Sequence, residues 1–316
     1  MKRNIYSYSK LWMILFVLMG TACTNQVEDA IPVSGQPIEF SVQSDWKEIH
    51  NTRSDDGKTQ FVKDDQIQIF GFHTSPSGEV KKFMYDVKKT NYGQIVTYDG
   101  NSSWNYTPKR FWPKEGKLDF FASYPYNSIR NDADNHTMIY GQTANSMKQD
   151  LLWGVSTKND CAAKNDVVIT MKHALAKVNI FFDKSWGDIG TVMFSAYKAG
   201  RFTETDTDGI PKWIFNDGDR TPSPAVFGYN DLLRDDSGTS LTVFILPGNI
   251  TGFQMFDVPQ GNEDGKKIDG SDDISNELQQ PQYKFLAGHK YNLKIRRAQK
   301  NTNSRSIAMS VRCVSE

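Results

Sequence analysis

Ile38-Glu39-Phe40-Ser41-Val42-Gln43 alternates apolar and polar residues without a break. A period of two marks a half-buried β-strand, because successive side chains leave a strand on opposite faces. It predicts a first strand over 38–42, with Ile38, Phe40 and Val42 facing a core. A polar stretch follows from Ser44 to Lys58, holding Arg53 and the turn signal Asp56-Gly57. Gln66-Ile67-Gln68-Ile69-Phe70-Gly71-Phe72 is a second strong strand. Phe83–Val87 and Gln94–Tyr98 are expected to pair across Asn91-Tyr92-Gly93. Leu118–Pro125, Val167–Met171, Ala174–Phe182, Thr191–Phe194, Leu241–Pro247 and Lys290–Ile295 continue the pattern. At the C-terminus Ile307, Met309, Val311 and Cys313 alternate with smaller or polar residues. Strands at intervals of roughly ten residues, broken by Gly, Pro and Asn, argue for β-sandwiches. On propensity alone His173–Val178 also reads as helix.

The chain has 316 residues, a length that suggests two domains. Lys and Arg number 37, as do Asp and Glu. That balance gives no basic surface for nucleic acid and no acidic tail. With 19 Phe, 13 Tyr and 7 Trp the chain is too aromatic for a disordered one. The polar groups Lys158-Asn159-Asp160 and Lys164-Asn165-Asp166 read as an interdomain link. They divide a first domain, 38–163, from a second, 164–316.

Residues 1–22 read as an export signal. Lys2, Arg3 and Lys10 precede the apolar run Leu11–Met19, and Gly20-Thr21-Ala22-Cys23 follows. Nine apolar residues are too few for a spanning helix, which needs about 20. Small residues before a cysteine match the lipoprotein pattern, in which that cysteine, here Cys23, becomes the lipidated N-terminus. Gly20 departs from the Leu usual three residues before it. Thr24–Asp29 resembles a short acidic surface-export tag, and residues 23–37, with Pro32 and Pro37, read as a lipid-anchored tether. Cys161 and Cys313 are the other two cysteines, and nothing in the sequence decides whether they pair.

Catalytic motifs are missing: no GxSxG, HExxH or GxGxxG, and no Cys/His cluster spaced for zinc. The sequence therefore predicts no enzyme, cofactor or metal. His173 beside a core strand reads as a hydrogen-bonded structural residue. Asp64-Asp65 reads as a turn or cap, and Asp206, Asp208 and Gly209 as a solvated hairpin. Trp104, Trp112 and Trp153 could stack sugars if they lay outside the core.

Five segments occur in an order that resembles the fimbrillin-like family, the subunits of type V pili. They are IEFSV with NTRS, FWPKEGKLDFFASYPY (Phe111–Tyr126), DLLWG (Asp150–Gly154), MKHALAKVNIFF (Met171–Phe182) and FLAGHKYNLKI (Phe285–Ile295). The resemblance implies an all-β fold of two tandem transthyretin-like β-sandwich domains of Greek-key type. It implies export as a lipoprotein to the outer membrane, anchored through an acylated Cys23. It also implies cleavage by a trypsin-like, Arg-specific protease in the loop after the first strand, where Arg53 fits. Loss of that strand would open a groove for β-strand addition by another pilus subunit, giving an adhesive filament. Ile307–Val314 is the candidate donor, or else a strand completing its own domain. The alternative is a monomeric surface-anchored glycan-binding lipoprotein.

Overall fold

The computed structural model describes residues 31–44, 60–132, 136–216, 224–257 and 265–297, and the backbone of 307–314. Ser34–Glu316 is one compact unit. The fold is all-β, and among the described residues the single α-helix is α1 (Ser271–Leu278).

The first sheet is built around β3 (Gln66–Thr74), whose side chains are buried on both faces. An apolar run with few charges suits that place, since a strand covered on both sides cannot alternate with solvent. The strand order is β2 (Phe40–Ser44), β12 (Val167–His173), β11 (Leu152–Asp160), β8 (Lys117–Tyr124), β3, β5 (Gln94–Tyr98) and β6 (Trp104–Asn105). β4 (Val80–Met84) lies along the other half of β3. The expected pairing of 83–87 with 94–98 is therefore corrected: both segments pair with β3. Nine residues of β3 give each of them its own stretch of edge. β1 (Val33–Pro37) and β7 (Phe111–Pro113) make a two-stranded ribbon. β1 thus lies within residues expected to be tether.

A second sheet has the order β17 (Leu233–Asp235), β18 (Gly238–Ile245), β13 (Ala176–Asp183), β20 (Lys290–Arg297) and β21 (Ile307–Val314). It shares a core with the sheet β16 (Ala225–Phe227), β14 (Ile189–Ser195), β19 (Thr251–Asp257) and with α1. β13 alternates buried and half-buried residues without exception, so His173–Val178 is no helix. Ala176, Val178, Ile180 and Phe182 face Val192, Phe194 and Phe253. Phe194 stacks on Phe227 at 5.2 Å. Each such ring contributes roughly 1.5–3 kcal/mol by leaving water.

The division between the halves is not at 163/164. The polar residues there make the hairpin from β11 to β12, with Asp160 O accepting from the Ala163 and Lys164 amides. Polar residues mark a tight turn as readily as a linker. β12 hydrogen-bonds in the first sheet and β13 in the second, so the chain changes sheets at Ala174-Leu175. β9 (Ile129–Asn131), β10 (Met138–Gly141) and β15 (Ala199–Phe202) form a further sheet drawn from both sides of that change. Its Ile129, Met138, Tyr140 and Phe202 pack with Phe70, Phe72 and Trp153 of the first sheet and with Phe244 and Leu246 of the second half.

Gly154 shows why the DLLWG segment ends in glycine. A Cβ there would lie 2.6 Å from Ile169 Cγ2 and 2.9 Å from Thr170 O, both on β12. Gly288 turns the chain into β20 at φ +73°, and a Cβ would meet Ile210 Cδ1 at 2.6 Å. Gly154→Ala should lower stability by about 1–3 kcal/mol through overpacking. Urea unfolding checks this, and an unchanged midpoint would mean that β11 and β12 tolerate a wider separation.

Candidate functional site

The segment expected to be removed for assembly begins at Ile38. Ile38 lies between β1 and β2 and not in the first strand as expected. It is fully buried, its amide donates to Arg110 O at 2.9 Å, and its carbonyl accepts from Tyr106 Oη at 2.7 Å. Phe40 is buried, edge-on to Phe120 at 5.2 Å and to Tyr106 at 5.6 Å. Val42 is half-buried. Burial pushes the Tyr106 phenol up to about 12, since the phenolate would lose its water; the Arg110 amide, which donates to the phenol oxygen at 3.4 Å, acts the other way. Glu39 meets Lys109 at 3.3 Å on the exposed side.

β2 sits at the edge of its sheet and runs parallel to β12, with Phe40 opposite Val167, Val42 opposite Ile169 and Ser44 opposite Met171. All three of those β12 residues are buried. A parallel pair is slightly weaker per residue than an antiparallel one. Taking β2 away would leave the β12 edge unpaired beside Phe120 and Tyr106, an apolar trough of the kind that accepts an added strand.

β21 is the edge of a different sheet. It pairs antiparallel with β20 along its whole length, from Ile307 opposite Arg297 to Val314 opposite Lys290. Met309, Val311 and Cys313 stand opposite Ile295, Leu293 and Tyr291, three residues that face the second core. The two segments expected to exchange are thus each paired within this chain, in separate sheets. Cys23 and Arg53 lie outside the described residues. Cys161 is a free, buried thiol in the β11–β12 hairpin, pushed up to about 11 by burial and, next, by the Asp160 charge.

The other polar candidates have local partners. His173 Nδ1 bonds the Asp150 carboxylate, tying the end of β12 to the start of β11. Asp65 Oδ2 accepts from the Val62 amide at 2.7 Å, and Asp206 Oδ1 accepts from the Asp208 and Ile210 amides at 2.9 Å each. Both are turn-closing carboxylates. Trp104, Trp112 and Trp153 are all buried, so they form no exposed sugar platform. Among the described residues no three His, Cys, Asp or Glu side chains gather to hold a metal ion.

A family model described as fimbrillin-like matches residues 52–310. The chain belongs to the fimbrillin-like family. No curated protein matches it at a significant level. Among solved structures, a candidate cell adhesion protein from Bacteroides uniformis matches with a TM-score of 0.51 at 17% identity, over 87% of this chain and 97% of that one. Another, from Bacteroides ovatus, also matches at 0.51, with 13% identity over 89% and 96% of the two chains. At those identities the likeness shows the fold alone. In this fimbrillin-like chain the matched region starts after β2, so Ile38, Phe40 and Val42 precede it while Arg53 falls within it. Tyr106 and Arg110, which hold the Ile38 backbone, carried no sequence signal beyond their place near an aromatic strand.

Phe40→Asp should destabilise the uncut chain by about 3 kcal/mol or more, because the carboxylate would be buried without a partner. Thermal unfolding measures it, and an unaltered transition would show that Phe40 is no plug. Tyr106→Phe should cost about 1 kcal/mol at neutral pH for the lost bond to Ile38 O. Because the folded phenol titrates near 12, above its ordinary 10, its contribution is present below pH 10 and is lost as pH rises toward 12. The phenylalanine variant should therefore lose stability less steeply across that window. Equal slopes in the two proteins would contradict the assignment.

Proposed function

We propose that this chain is a structural subunit of a surface pilus, exported as a lipoprotein and assembled by protease-triggered strand exchange in the service of adhesion. Cys23 is the acylated residue and holds the precursor to outer-membrane lipid. An Arg-specific, trypsin-like protease cuts after Arg53, in the polar stretch that follows β2. The released segment carries Ile38, Phe40 and Val42 out of the first core. A strand from another subunit then enters the groove beside β12, supplying main-chain hydrogen bonds and apolar side chains in place of the lost ones. Each subunit offering one groove and one donor gives a head-to-tail contact that does not close, hence a filament.

The observation that carries this reading is the position of β2: an edge strand with one partner, plugging the core with Phe40. Family membership supports it. The pairing of β21 with β20 favours a second reading within the same family, a subunit that accepts a strand but keeps its own. Such a subunit would end a filament, as an anchor does. The glycan-binding alternative loses its stated basis with the burial of the three tryptophans.

Intact-mass and N-terminal analysis of protein from cells, before and after limited trypsin, tests the proposal. An acylated Cys23, a single cut after Arg53 and oligomers resistant to mild denaturant are expected. Acylated, uncut monomer that trypsin leaves whole would overturn strand exchange.

A further inference from the structure

The main chain around Ile38 turns two ways. Glu39 O accepts from the Val167 amide of β12 at 3.2 Å. Both main-chain groups of Ile38 go instead to the loop of residues 106–110, between β6 and β7. Its amide donates to Arg110 O at 2.9 Å, and its carbonyl accepts from Tyr106 Oη at 2.7 Å. We propose that Tyr106 Oη and the Arg110 carbonyl form a main-chain clamp for the incoming strand, gripping the N–H and C=O of the one residue that takes the place of Ile38. The proposal rests on the strand-exchange reading. It names what the groove recognises in its partner: an extended backbone that runs in the direction of β2 and has a free N–H at the clamped position.

The clamp is braced by residues that stay when the segment goes. Gln94 of β5 is 3% exposed, and a buried amide side chain needs partners. The loop supplies them. Gln94 Nε2 donates to Pro108 O at 2.7 Å, and its Oε1 accepts from Arg110 Nε at 3.4 Å. β5 itself pairs with β3 and β6, not with β2. The Arg110 amide donates to Tyr106 Oη at 3.4 Å, which leaves the phenol hydrogen for the Ile38 carbonyl. None of these supports comes from residues 38–44. A site held in its bound shape loses less freedom when a strand enters, so more of each new bond is kept as affinity. In the uncut chain the site is filled by its own segment.

The chemistry of the two atoms fixes direction. A carbonyl oxygen only accepts, so Arg110 O requires an N–H. Tyr106 Oη has its acceptor side taken by the Arg110 amide and donates. A strand must therefore present N–H and then C=O in the order that Ile38 does. Reversed, it would set one carbonyl against another. Every residue but proline carries both groups, so the clamp reads direction and register and leaves the side chain to the space of the fully buried Ile38. The Tyr106 ring also meets Phe40 at 5.6 Å, two residues on. One tyrosine thus touches the main chain at one position and the next inward side chain, which ties the register of the backbone to that of the apolar row.

The full chain, cut by limited trypsin, is titrated with a fluorescent synthetic peptide of residues 31–44, and binding is read by polarisation. A second peptide has an ester oxygen in place of the Ile38 N–H and the same side chains; a third has the reversed sequence. The first peptide should bind. The ester should bind about tenfold more weakly, and Tyr106→Phe, which keeps the ring against Phe40, should weaken the first peptide about fivefold. The reversed peptide should not compete. Three results would overturn the clamp: an ester that binds as tightly as the amide, an unchanged affinity in Tyr106→Phe, or equal competition by the reversed sequence. In each of these the first peptide still enters the groove, so strand exchange stands. A cut chain that takes up none of the peptides would overturn strand exchange and the clamp together.

Discussion

β2 is held to its sheet by one neighbour, through five parallel residue pairs with β12. What that pairing covers is the end of the first core. Phe40 closes over Phe120 and Tyr106, and Tyr106 in turn hydrogen-bonds the Ile38 carbonyl. An interior strand such as β8 is locked between two partners and cannot leave without unfolding the sheet. An edge strand can leave while the rest keeps its ladders. The strand that contributes to closing the core is therefore also the one that the proposed exchange would remove. The polar stretch with Arg53 comes directly after it in the chain.

The second half of the molecule solves the same edge problem differently. β20 is flanked on one side by β13 and on the other by β21, so the apolar row Tyr291, Leu293 and Ile295 belongs to an interior strand. β21 then becomes the new edge. A sandwich with a bound edge strand is stable as it stands, and giving up β21 would strip one side of all eight residues of β20, leaving only Lys290–Ile295 paired, with β13. Donation from this end costs more main-chain hydrogen bonds than loss of the five-residue β2. That asymmetry is why an accepting subunit is the reading the second sheet favours.

Much of this was legible in the sequence, and the physics separates what was from what was not. β13 and β12 announced themselves by alternation, and the turns by Gly, Asn and Asp. The burial of Ile38 and Phe40 followed from the same period of two. The strand's bounds did not, because Ile38 is held by Tyr106 and Arg110 from outside the ladder. Parallel pairing of β2 with β12 joins residues far apart in the chain and leaves no local mark. The hairpin at 160–164 reads as a linker in the sequence because both are polar. The helix α1 leaves little mark in the sequence, because Ile274 and Leu278 are its only apolar anchors among eight residues.

The most direct test of the account is hydrogen exchange at the β12 edge. The Val167 amide, which donates to Glu39 O at 3.2 Å, should be protected in the intact chain. It should exchange quickly once trypsin has cut after Arg53 and residues 38–44 have left, and become protected again in oligomers formed from the cut protein. Continued protection in a cut monomer that has lost residues 38–44, or a segment that stays bound after cutting with no oligomer formed, would contradict the claim that β2 is an exchangeable plug.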